Sequence, residues 1–292
     1  MEVKIAGAPI SWGVCEAENW GYQMGPERVF KEMAELGLTG TEFGPYGFLP
    51  TDPAARASEL AKLGMEATGG FFPVVLHVAG VDPMPKVIAE LDAYEASGAK
   101  VLVIAAEQPG GNYNVKRPEI SDAEWALLLE NLQRIDEYAA SRGVTATVHP
   151  HVGTMIETES DIMHVLEGSE IGICFDTGHM FIGGTDPVAF AQKWAHRVKH
   201  CHLKDVRLEL AEKVQSGELT YHQAVVAGMY TAVGDGDVDI RAIMTHLIKA
   251  GYDGWFCLEQ DKVIDGEPAA GIGPIEDARR SVEFIKSVAA SL

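Results

Sequence analysis

IGICFDTGH, residues 171–179, opens with five small or apolar residues and ends on a carboxylate, a glycine and an imidazole. A run this short and apolar reads as a parallel strand covered on both faces. The ionisable residue at its carboxyl end then needs an explanation, because a buried carboxylate without a partner is costly. Working outward, β-rich runs recur at 3–11, 38–43, 65–72, 100–106, 144–149, 197–203 and 253–259, eight in all with this one. Amphipathic helical patterns fill the gaps, among them PERVFKEMAELG and SDAEWALLLENLQRIDEYAASRG.

The punctuation agrees. Pro26, Pro53 and Pro187 suit first helical turns, and Gly37, Gly64, Gly98, Gly143 and Gly251 suit the left-handed position just past a helix end. Eight β–α alternations without a Pro/Ser-rich linker predict one α/β domain over residues 1–292, a closed (β/α)₈ TIM barrel. No GxGxxG follows the first strand and no GxxxxGK[ST] occurs, so a nucleotide-binding open sheet loses support. The stretch from 206 to about 238 is long for a connection and is expected to be an active-site loop over the barrel mouth.

Composition excludes other classes. The net charge of -20, from 23 Lys+Arg against 43 Asp+Glu, would repel a phosphate backbone, so no nucleic-acid partner is expected. There is no apolar run long enough for a signal peptide or membrane span, which points to a cytoplasmic protein with no membrane partner. Cys15, Cys174, Cys201 and Cys257 are too few and too scattered for a disulfide framework and are expected as free thiols.

Strand side chains alternate between faces, so parity assigns each one a direction. In GICFDTGH, Gly172, Cys174 and Asp176 point to the axis while Ile173 and Phe175 face the helices. The same reading turns Cys257 and Glu259 inward in GWFCLEQD, His200 and His202 inward in VKHCHLKD, and Thr147 and His149 inward in VTATVHPH. His149, Asp176, His202 and Glu259 thus meet at one level. Two imidazoles and two carboxylates form a mixed N/O set that suits a divalent metal, Mn²⁺ or Co²⁺ first, with Mg²⁺, Zn²⁺ or Fe²⁺ as alternatives. Glu42 joins from the far wall, either binding substrate or closing the mouth with a salt bridge. His77, after the third strand, faces substrate or solvent.

Five motifs carry a resemblance to a known family: GAPISWG (7–13), GLTGTEFG (37–44), CFDTGH (174–179), HCHLKDVR (200–207) and GYDGWFCLEQD (251–261). Together they resemble the xylose-isomerase-like TIM-barrel superfamily of sugar isomerases and epimerases over nearly the whole chain. The resemblance implies metal ligands at Asp176, His202 and Glu259. Where isomerases and epimerases of that superfamily carry a glutamate in the fifth strand, this chain has His149 within HPHVGTMIET, a segment that resembles the inosose dehydratase subgroup.

The resemblance therefore implies a metal-dependent lyase that removes water from a cyclic polyol ketone such as 2-keto-myo-inositol, in inositol catabolism. The expected roles are Glu259 as base, His151 or His179 as acid, and Lys204, Arg207 and Glu42 as hydrogen-bond partners of substrate hydroxyls, with Asp205 orienting His202 or Arg207. A homo-oligomer, dimer or tetramer, is the family expectation. The alternatives are an isomerase or epimerase of a ketose or hydroxy-keto acid, and a non-catalytic sugar-binding barrel.

Overall fold

A computed structural model describes residues 3–292. Eight parallel strands close on themselves: β1 (Lys4–Gly7), β2 (Gly40–Glu42), β3 (Glu66–Val74), β4 (Val101–Ala106), β5 (Thr145–Val148), β6 (Gly172–Asp176), β7 (Val198–Leu203) and β8 (Trp255–Leu258). They follow chain order around the barrel, and β8 returns to β1 with Ile5 opposite Phe256 and Gly7 opposite Leu258. The expected (β/α)₈ architecture is the one the chain adopts.

The outer layer comprises α1 (Pro26–Glu35), α2 (Pro53–Lys62), α3 (Met84–Ser97), α4 (Asp122–Ser141), α5 (Glu159–Gly168), α6 (Thr177–Ile182), α7 (Pro187–Trp194), α8 (Leu208–Gln215), α9 (Tyr221–Val226), α10 (Ile240–Lys249) and α11 (Pro274–Ala290). Pro26, Pro53 and Pro187 each open a helix. The five glycines expected after helices all have positive φ. Ser121 with Glu124, and Thr158 with Asp161, form reciprocal caps that start α4 and α5 where the sequence turns from polar to apolar.

The alternation of faces holds. Ile173, Phe175, Phe256 and Leu258 join the main core between barrel and helices, whereas Cys174 packs with Val101 and Val103, and Cys257 with Ala6 and Ala8, in small clusters of their own inside the barrel. All four cysteines are free. No helix of the described residues is long and apolar enough to cross a membrane.

Two local readings change. The first strand is shorter than 3–11, because Pro9 opens a 3-10 turn, Pro9–Trp12, that lays Ser11 against Leu258 and Gln260. The stretch after β7 is not an open loop either. It folds into α8 and α9 and a two-stranded ribbon pairing Asp205–Val206 with Tyr230–Thr231. Asp205 is the reason: its carboxylate accepts backbone N–H groups from Val206, Gly234, Gly236 and Val238 at 2.8–3.1 Å. It therefore pins the turn at 234–238 rather than orienting His202 or Arg207. A side chain at Gly236 would strike it, with a Cβ only 2.3 Å from Asp205 Oδ1.

Candidate metal centre

The carboxyl ends of β5 to β8 bring His149, Asp176, His202 and Glu259 together, all buried, with one ligand atom of each within 4.8 Å of the others. Each is placed by its backbone. The amide of His149 donates to Ile104 O of β4 at 2.8 Å. Asp176 is the N-cap of α6: its Oδ1 accepts from the amides of Gly178 (2.9 Å) and His179 (2.8 Å). Its Oδ2 is left to face His149 Nε2 at 3.3 Å and His202 Nδ1 at 3.5 Å.

His202 decides what the centre asks for. Its Nε2 lies 2.8 Å from Glu42 Oε1, so that nitrogen carries a proton and donates. Its Nδ1 has no hydrogen-bond partner, yet it sits 3.1 Å from Glu259 Oε2 and 3.5 Å from Asp176 Oδ2. Burial works to lower the pKa of this ring, but the neighbouring Glu259 and Glu42 carboxylates overcome it and raise it well above the ordinary value, so without a metal Nδ1 also carries a proton, aimed at two carboxylate oxygens. Two buried carboxylates on one ring nitrogen call for positive charge there, which that proton or a divalent metal in its place supplies, and the donor set fits such a metal.

A second group, Glu42, His200, His202 and Cys257, is equally compact. Its members are turned on one another: both imidazoles donate Nε2–H to one oxygen of Glu42 at 2.8 Å, while His200 Nδ1 has no partner among the described residues. Burial works to raise the Glu42 pKa, but the neighbouring His202 and His200 overcome it and hold the carboxyl well below the usual carboxylate range. Glu42 is thus the partner that turns the His202 ring, the arrangement that commonly backs a metal-bound histidine. His200, which parity also turned inward, completes the pair beneath the centre.

Lys204 is the cation the site already owns. Buried beside the centre, its ammonium is paired with Asp261, 3.0 Å from Glu259 Oε2 and 3.8 Å from Asp176 Oδ2. Its backbone N–H and C=O are both tied to the Thr177 hydroxyl, at 2.9 and 2.7 Å. Burial opposes its charge, yet Asp261 and Glu259 push its pKa well above the ordinary value. Conversely, His202 and Lys204 outweigh burial at Glu259 and hold its pKa at about 2.

Residue by residue, the expectations divide. His151 and His179 stand beside the centre, their ring centroids 3.7 Å apart and their planes tilted by 34°. Burial, reinforced by His149 and Lys204, lowers His151 to about 3, and burial with His151 and Lys204 lowers His179 as well. Both shifts favour the neutral ring, in which each imidazole accepts at one nitrogen. His151 Nδ1 lies 2.7 Å from Val152 O and so bears the hydrogen, leaving Nε2 as an acceptor. His179 Nε2 lies 3.2 Å from Lys204 Nζ, and Nδ1 lies 3.4 Å from the Val152 amide. A neutral ring accepts from only one of these, and the shorter contact to the ammonium is the stronger.

Arg207 and His77 are not brought to the cavity. Arg207 is exposed at the start of α8, since the ribbon turns the chain outward after Val206. His77 is buried away from the mouth, and burial lowers its pKa against the pull of Glu124 on α4.

Two residues escaped the sequence reading: Tyr221 and Asp261. Tyr221 OH donates to Asp261 Oδ2 at 2.5 Å and touches Tyr230 OH at 2.9 Å, so the segment after β7 reaches into the site and holds the partner of Lys204. Asp261 lies two residues past Glu259, inward by the same alternation, and was legible in principle. Tyr221 carried no local signal. The cavity over the centre measures about 760 Å³, and His149, His151, Lys204, Tyr221, Glu259 and Asp261 are among its walls.

A closed parallel barrel whose strand ends gather two imidazoles and two carboxylates beneath an open cavity is a TIM barrel with a candidate metal site. The chain belongs to the xylose isomerase-like TIM barrel family, whose sequence profile matches residues 27–288. It is similar to the inosose dehydratase of Geobacillus thermodenitrificans (31% identity over 98% of this chain and 97% of that one) and to a rhizopine catabolism protein of Rhizobium meliloti (32% identity over 90% and 82%). Among solved structures it matches L-ribulose 3-epimerase (TM-score 0.73, 15% identity, covering 99% of this chain and 95% of that one). The chain is an enzyme.

Proposed function

We propose that the chain is a metal-dependent hydro-lyase that removes water from a cyclic polyol ketone of the 2-keto-myo-inositol kind, in the manner of the inosose dehydratases it resembles along nearly its full length. The observation that carries the reading is the convergence of His149, Asp176, His202 and Glu259, with one ligand atom of each within 4.8 Å of the others. His149, Asp176, His202 and Glu259 would hold Mn²⁺ or Co²⁺. Such an ion supplies Lewis acidity, which polarises a ketone and acidifies the hydrogen beside it.

The remaining steps fall to the chain's own residues. Glu259, ionised down to about pH 2, takes the hydrogen next to the carbonyl as general base. Lys204, 3.0 Å from Glu259 Oε2, is the protonated group nearest the base and hands a proton to the departing hydroxide. Asp261 and Tyr221 keep the ammonium in place. His151 presents Nε2 as an acceptor for a substrate hydroxyl, while Glu42 serves by orienting His202. Two neutral imidazoles with two carboxylates leave the loaded centre near zero charge, one unit less negative than a three-carboxylate set, which favours charge build-up on the substrate oxygen.

The test is turnover of 2-keto-myo-inositol by protein stripped of metal and reloaded with Mn²⁺ or Co²⁺. The expected product is lighter by one water. A product of unchanged mass would move the reading to an isomerase or epimerase, and equal turnover by stripped protein would overturn the metal requirement.

A further inference from the structure

The cavity is larger than the reaction proposed for it requires. A six-membered ring ketone has roughly twelve non-hydrogen atoms, and even at the ~30 Å³ a water occupies in the liquid these fill about 360 Å³. The cavity measures about 760 Å³, leaving room for a second group of similar size.

The surplus lies away from the centre, past the segment after β1, where Ile10, Val14 and Trp20 line it, and across the ends of β2 and β3. The candidate centre stands on β5 to β8, whereas the cavity continues across the ends of β2 and β3 to α2 and α3, where Phe43, Phe71, Arg56, Lys86 and Glu90 line it. Phe71 marks the junction, its ring 5.8 Å from that of His149 and 5.6 Å from that of His151. Phe43 forms the floor, edge-on to Tyr94 at 5.3 Å and covered by the Arg56 guanidinium at 4.7 Å.

The polar groups of this lobe are largely unspent. Arg56 gives its Nε–H to Pro50 O at 3.1 Å and makes no other side-chain hydrogen bond among the described residues. Glu90 is half-buried, and neither it nor Lys86 has a side-chain hydrogen bond or ion pair among the described residues. Burial raises the Glu90 pKa against the pull of Arg56. Arg56 acts on Glu90 and Lys86 on Glu107, so the two cations leave no net field to hold an anion. Apolar rings beside free donors and an acceptor suit an uncharged polyhydroxylated ring, whose C–H face packs while its hydroxyls bond.

Resting on the cyclic-ketone reading above, we propose that this lobe is a second-ring subsite and that the enzyme accepts polyol ketones bearing a glycosyl substituent. Calorimetry on Mn²⁺-loaded protein, comparing myo-inositol with its α-galactosyl and β-glucosyl derivatives, tests it. At least one glycoside is expected to bind about ten-fold more tightly than myo-inositol. Ala89→Trp, at an exposed α3 position on the lobe wall, should abolish that gain and leave myo-inositol affinity and 2-keto-myo-inositol turnover unchanged. Glu90→Ala, which removes only the acceptor, should weaken the glycoside several-fold and nothing else.

Equal affinity for myo-inositol and both glycosides, or a gain that survives both variants, overturns the subsite. Failure of the underlying function reads differently, as absence of metal-dependent water loss from 2-keto-myo-inositol whatever the glycosides do.

Discussion

His202 Nδ1 and Glu259 Oε2 face each other at 3.1 Å, while the other nitrogen of the same ring is held by Glu42 at 2.8 Å. One carboxylate orients the ring. The other faces Nδ1, the position that a proton holds without a metal and that an ion would take in its place.

Replacing Glu42 should therefore act on metal binding at a distance. Glu42→Gln is expected to keep the fold and weaken Mn²⁺ affinity by about 10–100-fold, because the His202 ring loses its charged partner. Titration calorimetry with Mn²⁺ measures this directly, and an unchanged affinity would mean that Glu42 does not orient the ligand.

Glu259→Gln should retain an oxygen for the ion but lose the base. The expected fall in kcat is about 10²–10⁴-fold, with metal still detectable by elemental analysis. Near-full turnover in a metal-loaded variant would remove Glu259 from the base role.

Gly178 sits where a side chain has no space: a Cβ there would lie 2.6 Å from Lys204 Cβ and 3.0 Å from Tyr230 Cε1. Gly178→Ala is expected to displace Lys204 from Asp261 and to cost about 1–3 kcal/mol of stability through overpacking. Turnover should drop more than metal affinity. Equal loss of both would point to general disruption of α6.

The His151 ring is neutral in the native chain down to about pH 3, whereas in the unfolded chain it titrates near 6.5. Above 6.5 neither form takes up the proton and the linkage term is zero. Below it the unfolded chain binds a proton that the native chain refuses, so native stability falls with pH by up to about 1.4 kcal/mol per unit until pH 3. Urea unfolding of metal-free protein at pH 6.5 and 5, compared with His151→Gln, should show the wild type losing about 2 kcal/mol more than the variant over that interval. Parallel pH profiles would contradict burial as the force on this ring.

Some of the site could be read without coordinates. Along a strand the facing of a side chain follows from counting by two, so Asp176, His202, Glu259 and, just past its strand, His149 were assigned inward from their own segments. His200 came with them, although its partnership with Glu42 needed the far wall of the barrel. Arg207 and His77 were misplaced because both lie where the chain has left its strand, and counting by two no longer carries direction there. Tyr221, on a helix within a connection, carried no period at all.

By itself the sequence determined the barrel, its strand ends and the identities of the converging donors, because repeated β–α alternation and strand parity are local properties that propagate along each segment. Only the tertiary structure decided that Glu42 turns His202, that Asp205 draws the segment after β7 into α8, α9 and a ribbon, and that Tyr221 and Asp261 hold Lys204 beside Glu259. Those are pairings between residues as far apart as 160 positions, set by barrel closure and by where buried charges find partners, and no window of sequence contains both members.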